Sequence, residues 1–136
     1  MTGSLRSPHP TLPPAAILLG RRLVGLAAEG GSTVVEFLAQ PAFANRHGTV
    51  QGGLLAAMLD SAMGSTLMDS LPEDRTAVTT QLTTRFIKPA PVGPLIATVT
   101  IVSRDERIAE VEAELAAPDG TVAARATASF RILTRR

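Results

Sequence analysis

Apolar and polar positions change rhythm several times along this chain, and each change predicts an element. From Gly52 to about Met68 the chain is rich in Leu, Met and Ala, which favour helix, and contains no proline. It is apolar nearly all the way round, as a buried helix would be. It should end near Asp69, because Pro72 blocks continuation. Before it, Arg21–Ala28 and Ser32–Ala39 read as strands, and Gly30-Gly31 between them is a hairpin signal. That turn would pair Leu26 with Val35 and Val24 with Phe37. Ala15–Leu19 reads as one helical turn stopped by Gly20, and Gln40–Val50 as an irregular polar connection.

After the helix, Thr76–Lys88 is dense in β-branched residues and reads as a strand. Strict alternation places Val78, Leu82 and Phe86 on one face and Thr79, Gln81, Thr83 and Arg85 on the other. Three more strands follow: Leu95–Ser103, Ile108–Ala117 and Thr121–Leu133. A two-residue Asp119-Gly120 loop would pair Glu114 with Arg125, Leu115 with Ala124 and Val111 with Ala128. Apolar then meets apolar and opposite charges meet. Counting Pro118 in the loop would set Glu114 against Ala124, a poorer match. The small Ala124, Ala126 and Ala128 leave room for a helix lying across the sheet.

Two strands, one long helix and four strands make an α+β domain, with sequential antiparallel strands around a central helix. Residues 1–14, rich in Ser, Pro and Gly, read as a flexible arm, and 15–136 as one domain. A length of 136 residues suits a single domain with a modest core. A net charge of +1 without a basic block, and no Trp or Tyr, gives no reason to expect nucleic acid. With no Cys and two His, thiolate and His-rich metal sites are excluded, and so is a Cys nucleophile. No apolar run reaches transmembrane length and no signal-peptide plan is visible, so a cytoplasmic location is expected, with no membrane partner.

One stretch holds the candidate chemistry. Asn45-Arg46-His47-Gly48-Thr49-Val50-Gln51-Gly52-Gly53 opens the helix, and the helix carries a single carboxylate in its middle, Asp60. A charge buried there is costly unless it is paired, hydrogen-bonded or used. The helix start offers unpaired N–H groups and a positive dipole end. Gly52 and Asp60 are about 12 Å apart along the axis, so one helix cannot readily bring both to one carbonyl. Two antiparallel copies could, which predicts a site shared between subunits.

Asn45-x-x-Gly48-Thr49-Val50-x-Gly52-Gly53 with Asp60 following resembles the hot-dog-fold acyl-CoA thioesterases of the phenylacetate-degradation (PaaI) type. So do Ile17-Leu18-Leu19-Gly20, Ala77-Val78-Thr79 and Phe86-x-x-Pro89-Ala90-x-x-Gly93. The resemblance spans about residues 15–133. It implies a curved antiparallel sheet of about six strands around one long helix. It implies a homodimer, with a homotetramer expected as a dimer of dimers. It also implies hydrolysis of an acyl-CoA to free acid and CoA, with no cofactor beyond the CoA of the substrate.

By position, Gly52 would give the N–H that polarises the carbonyl. Asn45 would hold water or thioester, Asp60 of the partner chain would be base or nucleophile, and Thr79 would position water or carboxylate. Gln51, Gly53, Gln81, Lys88, Pro89 and Arg104 are the candidates for substrate binding, the two cations for the CoA phosphates. One departure stands out: Gln51 occupies a position that is usually His in this family, and Gln cannot transfer protons near neutral pH. The competing reading is a hot-dog domain that binds acyl-CoA without catalysis. A buried carboxylate argues against it, since a pure binder gains little from one.

Overall fold

The computed structural model describes residues 12–26 and 31–135. Helix α1 (Pro14–Leu19) leads into strands β1 (Arg22–Leu26) and β2 (Thr33–Ala39), then a 3-10 turn at Pro41–Phe43. Helix α2 (Gly52–Asp69) follows, and then β3 (Arg75–Phe86), β4 (Gly93–Arg104), β5 (Ile108–Ala116) and β6 (Val122–Thr134). The arm expected over residues 1–14 lies, up to residue 11, outside the described residues.

All six strands form one antiparallel sheet in the order β1-β2-β4-β5-β6-β3, with α2 against one face. This is the hot-dog arrangement. The strands are not laid down in sequence order: α2 carries the chain across the sheet, so β3 becomes the edge beside β6 and β4 returns to pair with β2.

Helix α2 forms where its composition predicts, and its C-terminal end is hydrogen-bonded. Ser70 Oγ donates to the Leu67 carbonyl at 2.6 Å. Arg104 Nη1 donates to the Ser70 carbonyl and hydroxyl at 3.1 and 2.7 Å. Leu55, Met58, Leu59, Ala62, Met63 and Leu67 bury one stripe at helical spacing. That stripe lies over alanines of the sheet, with Ala124, Ala126 and Ala128 at 0%, 5% and 3% exposure. Large helix side chains thus meet small sheet side chains. Truncating fully buried Leu59 or Leu67 to Ala costs about 2–5 kcal/mol. The helix is not covered on every side, as its composition suggested. Leu54, Ala57, Asp60, Ser61, Gly64, Ser65 and Met68 remain half-buried, and of these Asp60 and Met68 turn toward β3, where Met68 Sδ accepts the Ala77 N–H at 3.2 Å.

The β5–β6 register is the expected one: Glu114 faces Arg125, Leu115 faces Ala124 and Val111 faces Ala128. The loop that achieves it differs. Gly120 N–H bonds to the Ala117 carbonyl at 2.9 Å, so Pro118 belongs to the loop. Gly120 supplies the positive φ of 92° this turn needs. A shift between Leu115 and Ala116, with Ala123 left unpaired, absorbs the extra residue and restores the pairing.

Two expectations of strand register fail. In β1–β2, Leu23 pairs with Val35 and Leu26 with Thr33, with an irregularity at Val24, so the predicted Leu26–Val35 and Val24–Phe37 pairs do not form. The Gly30-Gly31 turn lies partly outside the described residues. In β3, a bulge between Thr79 and Gln81 leaves Thr80 unpaired. Thr79 pairs with buried Phe130 while Leu82, Thr84 and Phe86 pair with buried alanines, so all four share the helix side. Val78 pairs with Arg131 on the outer side. A bulge reverses which face each residue occupies, which moves Thr79 away from Thr83 and Arg85.

Candidate active site

That reversal assembles the centre of the site. Thr79 Oγ1 donates to Asp60 Oδ1 at 2.7 Å, a short bond of the kind carboxylates accept. Without the Thr80 bulge the hydroxyl would point to the other side of the sheet. The bond occupies Oδ1 and leaves Oδ2 to accept from another donor. Asp60 is half-buried and, among the described residues, forms no ion pair. The half-buried Arg21 is directed to the next residue: its Nη1 donates to Ser61 Oγ at 3.1 Å. Burial holds the Arg21 guanidinium below its ordinary pKa, with the Asp69 charge opposing that shift.

At the other end of the helix mouth, the loop before Gly52 is held by its own polar groups. Asn45 Oδ1 accepts the backbone N–H of His47 at 2.8 Å and of Thr49 at 3.2 Å, an Asx-type turn. Asn45 Nδ2 donates to Thr49 Oγ1 at 3.2 Å. Val50 N–H bonds to the Ala90 carbonyl at 3.0 Å and Thr49 bridges to Pro91, which fastens the loop to the Pro-rich turn after β3. Gln51 N–H bonds to the Phe43 carbonyl at 2.9 Å. The Gln51 side chain makes no capping bond, so the N–H groups of Gly52 and Gly53 open the helix uncapped by it.

The expected residues therefore fall into separate groups. Asp60 and Thr79 are in direct contact. Asn45, Gln51, Gly52 and Gly53 gather at the helix start, with Lys88 and Pro89 just beyond the end of β3. The two groups lie about 12 Å apart along one helix and are not joined within the chain. Gln81 pairs with Ser129 on the outer side, away from both. Arg104 is engaged at the C-terminal end of α2, with the whole helix between it and Gly52. A depression of about 550 Å³ also opens on the outer side, lined by Thr83, Arg85, Glu112, Glu114 and Arg125, with the sheet separating it from Asp60.

One residue of this region was read from sequence as a strand position and as part of the Phe86-x-x-Pro89 motif, and was not among the candidate site residues. Phe86 ends β3 with its ring 3.4 Å from where a Cβ on Gly52 would lie, and its side chain is 54% exposed. The signal available was indirect: an apolar residue at the end of a strand just before a proline-rich turn.

The model of the thioesterase superfamily matches residues 47–124. Among solved structures, a phenylacetic acid degradation-related protein of Ralstonia eutropha JMP134 is 32% identical, with 90% of this chain and 92% of that one covered and a TM-score of 0.84. A Bacillus halodurans protein solved with CoA is 32% identical over 74% of this chain and 66% of its own, TM-score 0.71. The E. coli PaaI protein of the phenylacetic acid degradation operon shares the fold at 20% identity, covering 89% and 86%, TM-score 0.76. No match was found among curated proteins.

Proposed function

This chain belongs to the thioesterase superfamily, in its hot-dog, phenylacetate-degradation branch, and from that premise we propose that it hydrolyses an acyl-CoA thioester to free acid and CoA. The observation that carries the proposal is the Thr79–Asp60 bond at the open edge of the sheet. A carboxylate fixed through one oxygen, with the other free, is arranged to take a proton from water. The CoA held by the Bacillus halodurans relative supports a CoA-bearing substrate.

In the proposed reaction, Asp60 Oδ2 accepts a proton from water as the water oxygen attacks the thioester carbonyl. The carbonyl oxygen becomes anionic and is stabilised by the Gly52 N–H, a donor of a kind worth about 3–4 kcal/mol to the transition state. Collapse breaks the C–S bond, and the departing thiolate recovers the proton. The Gly52 end and Asp60 come from two copies of the chain. Two features support this pairing: β3 is an edge strand with one side unpaired, and Leu54 and Ala57 of α2 are only half-buried within one chain. A homodimer is the minimum unit of this reading, and a dimer of dimers is compatible with it. Asn45 braces the loop through its oxygen, so its contribution is to hold Gly52 in place. Gln51 takes part in orientation only. Lys88, exposed beside the helix mouth, is the cation proposed for the CoA phosphates.

The test is a hydrolysis panel of acyl-CoA thioesters from short linear to aromatic and long-chain, read by release of free thiol. Turnover of at least one class well above the uncatalysed rate is expected. Stoichiometric CoA binding with no thiol release from any class would replace hydrolysis with binding.

A further inference from the structure

We infer that Phe86 sets the width of the slot beside the thioester carbonyl and so selects the acyl group. This rests on the hydrolytic reading above. Of the four Phe in a chain without Trp or Tyr, three are in the core: Phe37, Phe43 and Phe130 are 0%, 6% and 2% exposed. Phe86 is 54% exposed, although it pairs with fully buried Ala124 on the helix side of the sheet. Its ring stands against Gly52, the residue whose N–H is to hold the carbonyl. On this inference, of the two groups attached to a carbonyl at that N–H, the acyl group is the one that passes along the ring.

The backbone that carries the ring is also held in place. Ile87 and Lys88 N–H groups both bond to the Ala123 carbonyl, at 2.8 and 3.2 Å, so the end of β3 is pinned to the bulge in β6. Gly52 lies at the start of a helix whose preceding loop is fastened to Ala90 and Pro91. With both backbones tied by hydrogen bonds, the size of the side chain at position 86 is what sets the space beside Gly52. A flat apolar wall at a carbonyl suits an apolar acyl substituent and excludes water from that side.

The experiment measures kcat/KM of wild type, Phe86→Leu and Phe86→Ala on two series. One varies the acyl group from short linear to branched and aromatic at constant CoA. The other keeps one acyl group and truncates CoA to N-acetylcysteamine. Phe86→Ala is expected to raise the ratio of bulky to short acyl substrates at least tenfold, with Phe86→Leu between it and wild type. An unchanged or lowered ratio overturns the inference, as does an effect confined to the thiol-side series. A uniform loss across all substrates together with dissociation to monomer also overturns it, by assigning Phe86 to subunit packing. Wild type without hydrolysis of any member removes the hydrolytic reading itself, and this inference with it.

Discussion

Replacing Thr79 with Val separates chemistry from stability. Val keeps the β-branched shape and the strand propensity and removes only the hydroxyl that bonds to Asp60 at 2.7 Å. A hydrogen bond to a charged group is worth about 1.5–3 kcal/mol. In the isolated fold Thr79 is exposed, so water replaces the lost bond and global stability should change by less than about 0.5 kcal/mol. In the closed site water cannot make that replacement without disturbing the attacking group. With about 1.4 kcal/mol per tenfold in rate, kcat/KM should fall roughly 10- to 100-fold. The assay is thiol release under steady-state conditions, beside a thermal melt of each variant. Thr79→Ser, which retains the hydroxyl, should recover most of the rate. Thr79→Val within about threefold of wild type would refute the reasoning, because a loss below about 0.7 kcal/mol is too small for a bond that orients the base.

Further predictions concern the frame and the substrate. Gly20, at φ 67° with a built Cβ only 2.9 Å from Leu38 Cβ, should not tolerate Ala. Backbone strain of about 1–2 kcal/mol and comparable overpacking should lower the melting temperature by roughly 10 °C, and an unchanged melt contradicts this. The Asp105 carboxyl is held below its ordinary pKa by the backbone N–H of Arg107 and then that of Ile108, with desolvation opposing. Being lower in the folded state, its contribution is present above the unfolded carboxylate pKa and is lost as pH falls through the folded value. The melting-temperature gap between wild type and Asp105→Ala should therefore narrow from pH 7 to below about pH 3, and a widening gap contradicts this. Lys88→Gln should raise KM for acyl-CoA several-fold while sparing an N-acetylcysteamine thioester. Equal effects on both substrates would remove Lys88 from the phosphates.

Long-range order in this fold was legible where side-chain pattern is decisive. The proline-free run fixed α2 within a residue, and the charge match of Glu114 with Arg125 chose the β5–β6 register. Pattern is silent about an inserted residue. Each of Val24, Thr80 and Ala123 adds one position to its strand, and none carries a composition that marks a bulge. The one at Thr80 matters most: alternation put Thr79 on the wrong face, and only the shifted ladder brings it to Asp60. The position of β3 at the far edge was equally hidden, since strand order depends on where α2 lays the chain down. Gly52 and Asp60 were legible as candidates because glycine at a helix start and a lone carboxylate in an apolar helix are both chemically unusual. Phe86 was not, because nothing in the chain distinguishes an exposed Phe from a core one.

The central claim is that Asp60 is the group that moves the proton. Asp60→Asn keeps the size and can still accept the Thr79 bond, so the fold and the melting temperature should hold. The decisive measurement is single-turnover thiol release by purified Asp60→Asn enzyme on the best acyl-CoA of the panel. A fall of at least about a hundredfold, with CoA binding retained, is the predicted result. Release within a few-fold of wild type would contradict the account.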